Sequence, residues 1–526
     1  MVTPMADSLI INSTPTEVRV AYLDNGLAVE VHVERRAERG VVGNIYRGRV
    51  VRVLPGMQAA FVDVGLERTA FLYVNDALPR APVEMHTDEE GEGTSRGDGH
   101  EPSAAKNTEE EGAGRGFRSA PLADIADVLK QGQEVVVQVQ KEPLGTKGAR
   151  LTRHVTIPGR NLVYMPFSDH IGVSRRIEDP AERERLRGIV VAVADGGGFI
   201  VRTAAEGESE ERLTREVQLL RQMWQEIVVR GDSGPTPRLI FADLDLVLRA
   251  TRDLFTDEVE EVVVDTEGDY GRIRDFVGSF WPGGETRVKL YDAPEPLFDH
   301  FGIEVEIERA LERRVWLKSG GYIVIDQAEA LTVIDVNSGR FVGKSSLEDT
   351  ITQINLEAVK ETVYQLRLRN IGGIIIIDFI DMVSAANREK VLGALQEALK
   401  RDKAKTTIVR MSEIGLVEMT RKRVRDSLGH MLTEACPYCK GRGFVKSQQT
   451  VANEILRAIA RALSRSPSPT VLVNMEPGIA DYLYESETAD VEAIEKRCKT
   501  RIIPVAREGY HREHYEIVRA PGGQHE

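Results

Sequence analysis

Hydrophobic residues recur along this chain in two rhythms, and the change from one to the other divides it. The first 38 residues alternate as strands do, in "SLIINST", "EVRVAYLDNG" and "LAVEVHVE", with Asp24-Asn25-Gly26 as a turn. A second run of short strands follows in "NIYRGRVVRVLPGMQAAFVDVGLERTAFLYV" and, after a polar interruption, "GQEVVVQVQKEPLGTKGARLT". Glycine-containing turns, five or so strands and no long helix predict a small barrel there. Residues 158–202 mix short strands, of which "NLVYMPFS" and "GGGFIVRTA" are clearest. The rhythm then turns helical: "SEERLTREVQLLRQMWQEIVVR" repeats its apolar residues at spacings of three and four. "PRLIFADLDLVLRATRDLF" and "EVEEVVVDTEGDYGRIRDFV" continue with strand and helix in turn.

From Gly302 the pattern is regular. It predicts a helix over "GIEVEIERALERRVWL" and paired strands over "GYIVIDQ" and "LTVIDVN". A long helix, "SLEDTITQINLEAVKETVYQLRLRN", is opened by Ser346 with Glu348 and Asp349 in its first turn. The central strand "GGIIIIDFI", the helix "NREKVLGALQEALKRDK" and the strand "TTIVRM" complete an α/β layer. "SPSPT" at 466–470 is expected to be a linker before a small final domain, and no internal repeat is visible.

Composition narrows the function classes. At 526 residues, with 41% hydrophobic and 29% charged, the chain is expected to fold as several domains. No basic region precedes an apolar stretch at the N-terminus, and "IGGIIIIDFI" is too short to cross a bilayer. Of three cysteines, Cys436 and Cys439 form a close pair and Cys498 stands alone, which suits a reducing compartment with one small metal site. The expected location is therefore cytoplasmic. The net charge of -14 argues against a nucleic-acid partner only at first sight. The segment from Ala81 to Gly114 holds ten acidic residues against Arg96 and Lys106, and has too few core-forming residues to fold. Without this expected disordered insert, basic clusters such as "GNIYRGRVVRV", "LRLRN" and "RMSEIGLVEMTRKRVR" leave a polyanion partner open.

Candidate chemistry centres on two carboxylates. Asp335 ends the apolar run "LTVID", and Asp378, 43 residues on, ends "GGIIIID". One turn, one helix and another turn separate them, as a crossover between neighbouring parallel strands requires. Ligands of open α/β sheets bind at the carboxyl ends of strands. Two aspartates there could share a Mg²⁺ with phosphate oxygens, or each could simply cap its own turn. Asp326 is expected to bond the backbone of its turn, and Asp381 to play a supporting part. "CPYC" is half of a tetrahedral thiolate site, and two chains could each contribute Cys436 and Cys439 to one zinc. Two ordinary thiols are the alternative. In the barrel, Phe61 and Phe71 near Tyr46, Arg47 and Arg49 could stack bases or fill the core. Lys141, Lys147 and Arg153 flank a glycine-containing loop, and Arg202 with Thr203 could grip a terminal phosphate.

The blocks "LTVIDVNSGR", "NLEAVKETVYQLRLRNIGGIIIIDFIDM", "GLVEMTRKR" and "CPYCKGRG", in that order, closely resemble the ribonuclease E/ribonuclease G family of bacterial endoribonucleases. The likeness covers nearly all of the chain outside the acidic insert and favours the short, tail-less ribonuclease G-like form. It implies a ribonuclease H-like subdomain (1–38 and 248–310) that receives an S1/OB barrel (39–151) and a 5′-sensor region (152–247). A deoxyribonuclease I-like catalytic domain (311–432), a zinc link (433–446) and a small α/β dimerisation domain (447–526) would follow. By the resemblance, Asp335 and Asp378 hold catalytic Mg²⁺ with Asn337 assisting, and water cleaves single-stranded RNA to 5′-phosphate and 3′-hydroxyl ends. Phe61, Phe71 and Lys147 match RNA-contacting positions, with Lys141 beside them. Gly159, Val163, Arg202 and Thr203 match a pocket for a 5′-monophosphate. Cys436 and Cys439 would share Zn²⁺ with a second chain in a homodimer or homotetramer. The expected role is ribosomal RNA processing and messenger RNA decay, with decay-machinery partners possible and no integral membrane segment. Val64 departs from a tyrosine found in some members, so one barrel contact is expected to be missing. The competing readings are a non-catalytic RNA-binding factor and a metal-dependent deoxyribonuclease or phosphoesterase.

Overall fold

The three N-terminal strands complete their sheet with partners more than 200 residues away. In the computed structural model, which describes residues 7–78, 124–143, 147–339, 347–412 and 414–519, Asp7–Ser13 lies between Glu17–Asp24 and Val259–Val264. The sheet runs on to Leu27–Arg35 at one edge and Val288–Leu290 at the other. Leu9, Ile11, Val262 and Val264 are fully buried in its core, so the chain must leave this sheet and return to it. The chain divides into two compact units, Met1–Met431 and Leu432–Glu526.

The excursion contains a closed five-stranded barrel. Ile45–Leu54 pairs with both Ala59–Asp63 and Glu134–Lys141, while Ala70–Tyr73 joins Arg150–Thr152, which pairs back to Glu134–Lys141. Closure removes the free strand edges, and Val62, Leu72, Val137 and Leu151 fill the interior. The acidic insert Ala81–Gly114 lies outside the described residues. After the barrel, Leu162–Met165 and Gly198–Val201 form the centre of a four-stranded sheet. Helices Pro180–Val193 and Glu210–Asp232 cover it, with Phe199, Leu213 and Leu220 fully buried.

The regular pattern after Gly302 builds a six-stranded sheet. Its order is Arg314–Trp316, Tyr322–Gln327, Leu331–Asn337, Gly373–Asp378, Leu416–Arg421, Thr406–Met411. Helices Leu347–Leu368 and Ala385–Leu399 contribute to the core on one face; Ser346 lies outside the described residues. Two elements differ from the sequence expectation. The helix over "GIEVEIERALERRVWL" stops at Leu311, and Arg314–Trp316 is an edge strand with Val315 buried between two exposed side chains. Three residues are too few to show a strand period against a charged helical pattern. Leu416–Arg421, inside a segment read only as basic, is also a strand. Its Arg421 is no surface cation, because it is buried in an ion pair with Asp402 (Nε–Oδ2 2.6 Å).

In the second unit, Thr470–Met475 pairs in parallel with Arg501–Ala506 and antiparallel with Tyr515–Arg519. Helix Gln448–Arg465 packs Ile455 and Ile459 into the same core as Val473. "SPSPT" is accordingly a turn within this unit, not a linker. Ser468 bonds the Thr470 carbonyl, and the Thr500 hydroxyl bonds the Ser468 carbonyl. No helix among the described residues is long and apolar enough to cross a membrane.

Candidate functional site

Asp335 and Asp378 owe their meeting to the sheet's register. Leu331–Asn337 and Gly373–Asp378 run parallel, with Ile334 opposite Ile377 and Asp335 opposite Asp378. The pleat sends alternate side chains to opposite faces. Ile334, Ile375 and Ile377 are fully buried against the helices, while both aspartates are exposed on the open face. A one-residue slip would bury the carboxylates and expose the isoleucines, each worth about 2 kcal/mol when buried. The apolar run is therefore the device that fixes where the charges stand.

Neighbouring residues hold the strand ends. Asn337, on the same face, donates from Nδ2 to Asp335 Oδ2 at 2.8 Å. Gly339 has φ +61°, and a Cβ there would lie 2.4 Å from the Gly320 carbonyl oxygen, so the turn after Asn337 requires glycine. Behind Asp378, the fully buried Asn355 bonds both backbone groups of Ile380, accepting its N–H at 3.1 Å and donating to its carbonyl at 2.8 Å. Glu348 accepts from the Val383 and Ser384 N–H groups and from Asn387, which fixes the entry to helix Ala385–Leu399.

Partial burial, then the charges of Asp335 and Asp381, push the Asp378 carboxyl above the usual range. A cation bound between the carboxylates would relieve that repulsion. Among the described residues, no group of three or more His, Cys, Asp or Glu is placed to hold a metal. An exposed carboxylate pair fits Mg²⁺, which keeps waters and takes phosphate oxygens instead of an all-protein cage. Asp326 departs from expectation: it pairs with the Arg313 guanidinium (Nη2–Oδ2 2.6 Å) and not with its turn.

On the barrel, Phe61 and Phe71 are directly opposite each other and half-buried. Arg52 lies opposite Phe61 and Arg150 opposite Phe71, so two arginines flank the aromatic pair. Tyr73 meets Phe71 edge-on at 5.3 Å, and Arg150 lies over the Tyr73 ring at 5.2 Å. Lys141 is opposite Arg150, and both it and Lys147 are exposed. Arg52, Tyr73 and Arg150 escaped the sequence reading, although the two-residue spacing of Phe71 and Tyr73 places them on one face. Arg47 and Arg49 are not free, since both pair with Glu134, and Arg150 pairs with Asp76 at 2.9 Å, so Arg52 is the unpaired arginine beside the rings among the described residues. Tyr46 and Val64 belong to the barrel core, so position 64 is not part of this surface.

Gly159, Val163, Arg202 and Thr203 gather at one end of the two inner strands of the four-stranded sheet. Val163 pairs with Ile200 and Pro158. Arg202 donates from Nη1 to the carbonyls of Gly159 (2.7 Å) and Arg160 (3.2 Å), and Thr203 shares a hydroxyl bond with Ser174 at 3.1 Å. Arg202 also meets Asp253 at 3.3 Å. Burial opposes ionisation of Asp253, but Arg252 and Arg202 outweigh it and hold the carboxyl below its usual range. Glu216, which sequence reasoning missed, is buried and accepts from the N–H groups of Asn161 (2.9 Å) and Leu162 (3.3 Å). A Cβ on Gly159 would stand 2.2 Å from Glu216 Oε1, so this position needs glycine.

In the second unit, the Gly443 N–H donates to Cys439 Sγ at 3.2 Å. The N–H groups of Cys439 and Tyr438, then the Cys439 side chain, lower the Cys436 thiol below its usual range. Inward-facing amides around sulfur are what a thiolate ligand pair needs. His511 Nε2 donates to the Tyr438 carbonyl at 2.6 Å and ties down the turn. All three cysteines are free thiols.

A family model described as "Ribonuclease E/G family" matches residues 156–424, and one described as "RNase E/G, Thioredoxin-like domain" matches residues 435–520. The chain is 44% identical to ribonuclease G of Escherichia coli over 519 residues, covering 98% of this chain and all of that protein. It is 43% identical to ribonuclease G of Haemophilus influenzae, covering 98% and 99% of the two chains. Ribonuclease E of Escherichia coli is 34% identical over 98% of this chain but only 46% of its own length. With matches of this identity and extent, the chain belongs to the ribonuclease E/G family.

Proposed function

We propose that the protein is a Mg²⁺-dependent endoribonuclease that hydrolyses single-stranded RNA to 5′-phosphate and 3′-hydroxyl ends. The observation that carries this reading is the exposed, in-register pair Asp335–Asp378 at the carboxyl ends of parallel strands, with Asn337 bonded to Asp335. Family membership supports the reaction class and its use in ribosomal RNA processing and messenger RNA decay.

Asp335 and Asp378 would hold Mg²⁺, which when bound polarises the phosphodiester and supplies an activated water. Asn337 keeps one Asp335 oxygen engaged, and the other would be available to the ion. Phe61 and Phe71 would stack on bases while Lys141 and Lys147 meet phosphates. Gly159, Val163, Arg202 and Thr203 would receive a substrate 5′-monophosphate, and Glu216 shapes the loop on which Gly159 stands. The regions implied by the resemblance, ribonuclease H-like, S1, 5′-sensor and deoxyribonuclease I-like, are the reading we adopt for the first unit. For the second unit, we adopt a zinc link in which Cys436 and Cys439 of two chains share one Zn²⁺ within a homodimer or homotetramer. Three free thiols suit the reducing cytoplasm.

The test compares 5′-monophosphorylated single-stranded RNA, duplex RNA and matched DNA, each with and without Mg²⁺. Cleavage confined to single-stranded RNA with Mg²⁺ is expected. Preferential cleavage of DNA, or RNA binding without any cleavage, would overturn the proposal.

A further inference from the structure

The open face that carries the carboxylates extends sideways to an aromatic pair. Tyr322 is directly opposite Asn337, and Trp316 is directly opposite Tyr322. One row further along, Arg314 is opposite Val324, Val324 opposite Asp335, and Asp335 opposite Asp378. Side chains opposite one another share a face. Trp316, Tyr322 and Arg314 therefore stand on the same side of the sheet as Asp335, Asn337 and Asp378. With strands about 4.8 Å apart, the Trp316 strand is about 10 Å from that of Asp335.

The other two tryptophans of the chain are partly covered by neighbours. Trp281 has guanidinium groups of Arg160 and Arg212 over its ring at 4.6 and 4.4 Å, and Trp224 packs edge-on against Phe167. Trp316 is 57% exposed. Its ring meets Tyr322 at 5.2 Å and an interplanar angle of 63°, so the two rings form a corner. Arg314 lies over the Tyr322 ring at 4.5 Å. Among the described residues no carboxylate is within ion-pair distance of Arg314, whereas the adjacent Arg313 is taken by Asp326. Rings beside an unpaired guanidinium match a nucleotide, in which a base can stack and the adjoining phosphate can meet the cation.

We infer that Trp316, Tyr322 and Arg314 form a subsite that stacks an RNA base close to the scissile phosphodiester and meets an adjoining phosphate. The inference rests on the nuclease reading above and adds a specific position on the substrate.

The experiment uses the full chain and a short 5′-monophosphorylated single-stranded RNA whose cleaved bond has been mapped with the unmodified protein. A parallel series carries an abasic residue at each position around that bond. The double variant Trp316→Ala/Tyr322→Ala is expected to raise KM on intact RNA about tenfold with kcat nearly unchanged. At one position the abasic RNA should cost the unmodified protein a similar factor and the double variant nothing further. Trp316→Phe/Tyr322→Phe should restore most of the binding, which separates stacking from misfolding. Wild-type KM in the alanine variant, or equal abasic losses in both proteins at every position, would overturn the subsite while leaving the nuclease intact. Absence of Mg²⁺-dependent cleavage by the unmodified protein would overturn both.

Discussion

Asp335 and Asp378 stand opposite each other in register across two parallel strands, although a helix of 22 residues separates them along the chain. On the proposed reading each needs the other, because one carboxylate alone neither neutralises a divalent cation well nor fixes its position. Asp335→Asn and Asp378→Asn should each lower single-turnover cleavage by at least about a thousandfold. Folding should be unchanged, since both side chains are exposed; circular dichroism and thermal unfolding check that.

The aromatic pair on the barrel should matter for binding and not for chemistry. Phe61→Ala or Phe71→Ala is expected to weaken binding of single-stranded RNA by about tenfold or more, the usual worth of a stacked base. Arg52→Ala, which removes an exposed arginine opposite Phe61, should add to this and reduce the salt dependence. Filter binding to a cleavage-inactive background measures both.

Arg202 offers a separable effect. Arg202→Ala should reduce the preference for 5′-monophosphate over 5′-hydroxyl RNA, with little change on the 5′-hydroxyl substrate. Rates on the two substrates, taken side by side, give the ratio directly, and an unchanged ratio removes Arg202 from the pocket.

How much of this was legible in the chain depends on what each feature requires. The apolar runs in "LTVID" and "IIIID" are long enough to mark buried strands, so the aspartates that end them stand out in the sequence itself. The strand Arg314–Trp316 was invisible because three residues carry no period, and the arginines and glutamates before it read as helix. Leu416–Arg421 was hidden differently: its arginine looked like surface charge, while the fold buries it against Asp402. Partners far apart in sequence, such as Glu216 with the 161–162 backbone, leave no local trace. That is why the support of the Gly159 loop emerged only from the structure.

The buried pair has a stability consequence. Asp402→Ala leaves the Arg421 guanidinium without its carboxylate in a dry site and should cost about 3–5 kcal/mol. Chemical denaturation should show the loss in the first unit's transition. A double change that replaces both residues with apolar ones should recover most of it.

For the cysteines, metal analysis with native mass should find one zinc per two chains, lost on Cys436→Ser together with the oligomer. One zinc held by each separate chain would contradict a shared site.

The most direct test of the central claim is single-turnover cleavage of 5′-monophosphorylated single-stranded RNA by the Asp378→Asn variant, with RNA binding measured on the same preparation. The account predicts near-normal RNA binding and no Mg²⁺-dependent cleavage above background. Undiminished cleavage by that variant would contradict it.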